Sequence, residues 1–341
     1  MMGCAGIIEA WGSAAYSTNE RAMYVWGGGH NDYWGNEVYS FEVRDGRWAR
    51  LTDPSPGDLV KASGVDPLPD GQPNSRHTYD GLEFIDHSGH MFAQGGAISP
   101  GGQGNSVTWL FNAETRGWQN TGSKGRPEGY GIASAYDQAS GSVLARSTKA
   151  LWHYQVDTNE WTRLIDFSFR PLWPRYEVSR SKTGEIDTRR RLFWSVGSND
   201  LLVWDIDQGR LVTGDWITTG GGQYTNVQRV RRSIDQLFES GGGNVYDSPA
   251  PGFAYDSKAD QFVAWTGGAP RILDLKSKKW RTGSAAGAPE AQILKGTFGR
   301  WRYLPNYNVF ILINGVKSNV FFYKNMSGGP RVPKSKALPG G

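Results

Sequence analysis

Two histidines, a tyrosine and an arginine stand at comparable points of a repeating pattern. His30 follows Gly27-Gly28-Gly29, and His77 lies in Asn74-Ser75-Arg76-His77-Thr78-Tyr79. Tyr130 lies in Glu128-Gly129-Tyr130-Gly131, and Arg146 ends Ser142-Val143-Leu144-Ala145-Arg146, where other repeats place Trp26 or Gln94. Such a set suits β-elimination from a uronic acid. That reaction removes the proton on C5, beside the carboxylate, and expels the sugar oxygen on C4. The proton is weakly acidic while the carboxylate is ionised, so a cation or donor must stabilise the enolate-like intermediate. A base must take the proton and an acid must protonate the leaving oxygen. Histidine titrates near neutrality and serves as base. Tyrosine can donate, or act as base when a neighbouring arginine lowers its pKa. Further polar and aromatic residues at corresponding points are candidate substrate contacts: Asn31, Tyr33, Arg76, Arg175, Tyr176, Arg300 and Arg302. His87 and His90 fall in an outer turn, and His153 falls inside a strand where packing is expected.

These residues are far apart in sequence, so the fold must gather them. One phrase recurs six times: an apolar strand, a polar turn, a second apolar strand, then usually glycine. Gly81-Leu82-Glu83-Phe84 leads to Met91-Phe92-Ala93-Gln94-Gly95-Gly96, and Phe253-Ala254-Tyr255-Asp256 leads to Phe262-Val263-Ala264-Trp265-Thr266-Gly267-Gly268. A third apolar segment and a turn follow, and then a tryptophan: Trp48, Trp118, Trp161, Trp216 or Trp280. Period-two runs between Gly, Asp and Asn turns read as four strands per repeat. A unit too small to bury its own apolar face implies a radial or stacked array. The tryptophan of each fourth strand is expected to pack between neighbouring sheets, where its ring buries much apolar area.

The double glycine and the spaced tryptophan resemble the kelch repeat of galactose-oxidase-like β-propellers, from about Ile8 to Tyr323. The resemblance implies an all-β propeller over residues 1–325 with an irregular tail over 326–341. Six blades are expected, with a seventh left open by Gln223 to Val245, and almost no helix outside Ser233 to Glu239. The last unit departs from the pattern, since no tryptophan strand follows Val320-Phe321-Phe322-Tyr323.

A narrower likeness concerns the rim. Two histidines, a tyrosine and an arginine shortly after it in the same blade resemble propeller-type lyases that cut ulvan, a sulfated uronic-acid polymer. That resemblance implies His77 and Tyr130 as acid/base groups, and Arg146 and His30 as carboxylate neutralisers or substrate binders. The expected partner is an acidic polysaccharide and the expected setting secreted or periplasmic, although no leader is visible. The alternative is a non-catalytic kelch-like propeller that binds a glycan or a protein, because fold alone does not decide function.

Composition narrows the field. The chain has 341 residues with a net charge of +4. No apolar run approaches the ~20 residues of a membrane span, and no recognition-helix or RNA-binding motif is present. Neither a membrane nor a nucleic acid is an expected partner, and a monomer is expected. The single cysteine, Cys4, excludes internal disulfides and the Cys–Tyr crosslink of a copper radical oxidase. Gly27-Gly28-Gly29 leads into no helix, so a phosphate-cradling fingerprint is not supported. No cofactor is required by this chemistry. A structural calcium on Asn31, Asp32 and Glu37 would rest on oxygen ligands at irregular spacing.

Overall fold

Each repeat folds into one antiparallel sheet, and the sheets form a six-bladed β-propeller. A computed structural model describes residues 2–127, 130–166, 180–212, 241–284 and 286–325. Blade 1 comprises β1 (Ala14–Ser17), β2 (Ala22–Val25), β3 (Tyr39–Glu42) and β4 (Arg47–Arg50). Blade 2 is preceded by β5 (Arg76–His77) and contains β6 (Leu82–Ile85), β7 (His90–Gln94), β9 (Thr108–Asn112) and β10 (Gly117–Asn120). The short strand β8 (Ala97–Ile98) pairs with β5 as a separate ribbon. Blade 3 comprises β11 (Ala133–Asp137), β12 (Ser142–Arg146), β13 (Ala150–Gln155) and β14 (Glu160–Asp166). Blade 4 comprises β15 (Thr183–Asp187), β16 (Leu192–Gly197), β17 (Asp200–Asp205) and β18 (Arg210–Leu211). Blade 5 comprises β19 (Gly252–Asp256), β20 (Gln261–Trp265), β21 (Arg271–Asp274) and β22 (Lys279–Thr282). Blade 6 has three strands among the described residues: β23 (Trp301–Leu304), β24 (Val309–Ile313) and β25 (Val320–Tyr323).

Six sheets account for the repeats among the described residues, and of the stretch Gln223 to Val245 the part before residue 241 lies outside them. Val245 lies in a short helix over Gly243–Asp247. The helix expected over Ser233 to Glu239, the strand expected at Trp216 and the tail over 326–341 lie outside the described residues. Helix appears instead as short turns at Gly6–Glu9 and Gly57–Ser63.

Burial explains why the inner strands read as near-continuous apolar runs. β2, β12 and β20 are buried along their whole length, because each sheet is covered on both faces by its neighbours. The outer strands β4 and β10 are largely exposed. The fourth-strand tryptophans divide accordingly. Trp118 packs 4.7 Å from Trp26 of blade 1, and Trp161 lies 6.1 Å from Phe92 of blade 2. Trp48 departs from the expectation and is 39% exposed. Each such ring leans toward the preceding blade, and the blade before Trp48 is blade 6, which has no fourth strand among the described residues.

The two ends of the ring are built differently. The turns joining first to second strands lie at one end, where polar side chains join neighbouring blades. Asp86 of blade 2 accepts from Ser17 Oγ at 3.1 Å and from the Thr18 N–H at 3.0 Å. Arg191 of blade 4 pairs with Asp137 of blade 3, and Arg190 reaches Asp260 of blade 5 at 2.7 Å. The Arg189-Arg190-Arg191 cluster therefore ties blades together. Arg229, Arg231 and Arg232 lie outside the described residues. At the other end run the segments entering each first strand and leaving each second strand, and these carry the candidate site.

Candidate functional site on the strand-entry rim

The entry segments are bonded to one another around the rim. The Tyr79 N–H donates to Trp11 O at 2.7 Å, Ala250 N–H to Ser181 O at 2.7 Å, and Gly299 N–H to Ser13 Oγ at 3.1 Å. Trp11, Tyr79, Tyr130 and Phe298 each stand three residues ahead of a first strand. Trp11, Tyr79 and Phe298 adopt φ of 50°, 50° and 52°, a region costly for bulky side chains. Their rings pack with Ala97 and Ala250. This aromatic collar is the floor beneath the histidines.

His77 ends β5 and is 2% exposed. Its Nε2 lies 2.9 Å from Asp32 Oδ2. The ring sits 4.5 Å from Trp11, 4.7 Å from His30 and 5.9 Å from Tyr79. Desolvation lowers the His77 pKa to about 4, against the pull of Asp32. The imidazole is therefore neutral near pH 7, with the Nε2–H donating to Asp32 and Nδ1 left as the acceptor nitrogen. Burial alone would raise the Asp32 carboxyl, but the His77 bond and the Lys295 ammonium outweigh it and hold the group below its ordinary value. Lys295 Nζ lies 3.3 Å from Asp32 Oδ1 and 3.9 Å from the centre of the Trp11 ring.

Two glycines allow this close packing. Gly29 has φ +90°, and a β-carbon there would lie 2.6 Å from His77 Nε2. Gly102 has φ +74°, and a β-carbon there would lie 3.1 Å from the His30 ring. His30 itself is half-buried, and its carbonyl accepts from Ser99 Oγ at 3.0 Å.

The other sequence candidates fall into distinct settings. Tyr130 is on the same rim and is 49% exposed, and the next residue, Gly131, lies against the Tyr79 ring. Arg146 is buried and ion-paired with Asp200 of blade 4, which Lys182 also approaches at 3.3 Å. Desolvation, with Arg146 adding to it, pulls Lys182 down to about 8. Arg76 is buried, pairs with Asp66 at 2.7 Å and lies 5.1 Å from the centre of the Trp26 ring. Arg300 is wholly buried and donates to the carbonyls of Gly12, Ile313 and Asn314 at 2.9, 2.6 and 3.2 Å. Arg302 points to Glu83 at 2.9 Å and bonds Leu82 O at 3.1 Å. Tyr33 donates to Glu37 Oε1 at 2.7 Å, and Asn31 is exposed. Arg175 and Tyr176 lie outside the described residues. The structure thus brings His30 and His77 into contact and leaves Tyr130 open further round the rim. Arg76, Arg146, Arg300 and Arg302 are committed to holding the fold.

Sequence reasoning assigned no role to Trp11 or Lys295, and it treated Asp32 only as a calcium ligand. The signal for Trp11 was the aromatic recurring ahead of four first strands. Lys295 lies in an irregular loop and carried no such signal. As for a cation, both Asp32 oxygens face His77 and Lys295, while Glu37 Oε1 accepts from Tyr33 and Tyr39. Among the described residues no three His, Cys, Asp or Glu side chains gather as a metal site.

No protein-family model matches the chain, and no curated protein matches it. The functional reading rests on the rim itself.

Proposed function

We propose that the protein is a polysaccharide lyase that cleaves a uronic-acid polymer by β-elimination on the strand-entry rim. The observation that carries this reading is the grouping of His30, His77, Asp32, Lys295 and Trp11 within successive contacts of 2.9 to 4.7 Å. Trp11 offers a ring on which a pyranose can stack, and Lys295 offers the cation a uronate carboxylate needs. His30 and Tyr130 reach solvent, so the proton transfers fall to them. His77 is too buried to meet a polymer directly and serves, with Asp32, to position His30 and the rim. In the reaction His30 takes the C5 proton. The C5–H electron pair forms the C4–C5 double bond as the C4–O bond breaks, and Tyr130 protonates the departing oxygen. Arg146, sequestered with Asp200, supports the rim from beneath.

The pairing of His77 with Asp32 and of Arg146 with Asp200 favours one other reading, a rim that binds an acidic glycan without cutting it. Steady-state kinetics on oligouronates separate the two. His30→Gln and Tyr130→Phe should each lower kcat by about 10²–10⁴-fold with little change in affinity. Full turnover in both variants would remove the proposed proton-transfer roles. Salt-sensitive binding without turnover in the wild type would establish the binding module instead.

A further inference from the structure

Among the described residues β25 pairs with β24 alone, so its outer edge presents a row of unpaired N–H and C=O groups. In each of the other five blades a fourth strand occupies that place. The neighbouring blade shows the same gap. Trp161 and Trp280 are 8% and 7% exposed, but Trp48, whose preceding blade is blade 6, is 39% exposed. Trp48 packs 5.2 Å from Phe41, and Phe41 shares an apolar cluster with Val320 of β25. Phe322 of the same strand is 48% exposed. A slot one strand wide is thus bordered by a bare sheet edge and by exposed aromatic rings.

Edge strands are kept from pairing with other chains by charge, by proline or by shortness. β4, β14 and β22 each carry arginine or lysine beside their tryptophan, β18 is two residues long, and β10 is polar about Trp118. β25 has none of these devices, since Val320-Phe321-Phe322-Tyr323 contains no charge and no proline. The chain's own continuation is a poor filler. Four residues join the third strand to the fourth in each of the five complete blades, so a fourth strand here would open Gly328-Gly329-Pro330. Glycine and proline are depleted in strands. Asn325 is moreover bonded to Gln261 and Arg281 of blade 5, at 2.9 Å each.

We propose that a second copy of this chain fills the slot, the two β25 strands pairing antiparallel about a two-fold axis. Such an axis sets one residue opposite its own copy. Centred on Phe321, the pairing sets Phe321 opposite Phe321 of the other copy, Val320 opposite Phe322, and Lys324 opposite Ser318. Aromatic–aromatic and aromatic–β-branched pairs across strands are favourable, and no like charges meet. The edge is therefore complementary to itself, as an isologous dimer requires. The entering strand also covers Trp48 of each copy. This surface lies on the outer edge of the ring and does not rest on the lyase reading.

The test is sedimentation velocity of the full chain over a concentration series, with hydrogen exchange of the β25 amides measured alongside. A dimer that grows with concentration is expected, and protection of the β25 amides should grow with it. Phe322→Glu places a charge among the apolar pairs and should raise the dimer dissociation constant by about tenfold or more. Phe322→Thr keeps the strand preference and should raise it by less; it carries the test if the charged variant does not fold. A wild type that stays monomeric across the series overturns the proposal, and β25 amides protected in that monomer would assign the slot to residues 326–341. A dimer whose dissociation constant is unmoved by either substitution overturns it too, because the contact then lies elsewhere.

Discussion

Asp32 reaches from blade 1 to the His77 side chain ahead of blade 2, with 2.9 Å between carboxylate oxygen and Nε2. That bond fixes the tautomer of a neutral, buried ring whose neighbour on the solvent side is His30. Asp32→Asn keeps the volume but can turn an N–H toward Nε2, which favours the other tautomer and a rotated ring. Under the lyase reading its kcat falls by about 10²-fold with KM little changed. Lys295→Met should mainly raise KM for a uronate substrate. Steady-state kinetics of the two variants side by side check both expectations.

Stability should carry opposing pH dependences. The His77 pKa is about 4 in the folded chain, against 6.5 for an ordinary histidine. The unfolded chain therefore binds the proton first as pH falls. Stability from this group is fully present above pH 6.5 and declines by about 3 kcal/mol on the way to its folded pKa. Glu185 acts in the other sense, because burial raises it from 4.5 to about 7. Its contribution is complete below pH 4.5 and is lost as pH rises through about 7. Melting curves from about pH 4 to 8 should show a steeper acid loss in Glu185→Gln and a steeper alkaline loss in His77→Asn. Parallel curves for all three proteins would contradict these assignments.

Asp200 is shared by two buried cations, Arg146 and Lys182. Asp200→Ala leaves both cations buried without this carboxylate. A loss of about 3–5 kcal/mol in denaturant unfolding is expected. Replacing Lys182 by Met in the same protein should recover part of that loss. A single variant within about 1 kcal/mol of wild type would show that Asp200 does not hold the pair.

Gly29→Ala tests the close packing over the histidines. Its φ of +90° disfavours a side chain, and the new methyl would meet His77 Nε2. Destabilisation of about 1–3 kcal/mol is expected together with reduced turnover. Gly46→Ala is a useful control, because its φ is +63° but a β-carbon there meets nothing within 4 Å. The control should share the backbone cost without the loss of turnover.

The architecture was legible because it is periodic. Paired strands recur in every blade, and glycines and fourth-strand tryptophans in most of them, so even the short last unit could be read as a departure. The site was legible only in part, for a physical reason. His30 and His77 follow and precede strands whose positions the repeat sets, so their meeting on one rim could be anticipated. Whether an arginine faces solvent or a carboxylate depends on contacts between blades that are distant in sequence. Arg146 and Asp200 are separated by 54 residues, and Arg300 finds the Gly12 carbonyl 288 residues away. Residue type alone therefore read these arginines as substrate contacts, while packing uses them to close the rim. Lys295 shows the converse, since it joins the site from a loop without a repeating signal.

The central claim is tested most directly by incubating the wild-type chain with a panel of uronate polymers and analysing the ends of the fragments. β-Elimination predicts fragments whose new non-reducing end absorbs in the ultraviolet as a conjugated C4–C5 double bond, with masses that sum to the substrate and no added water. Saturated fragments that have gained water, or polymers left intact across the panel, would contradict it.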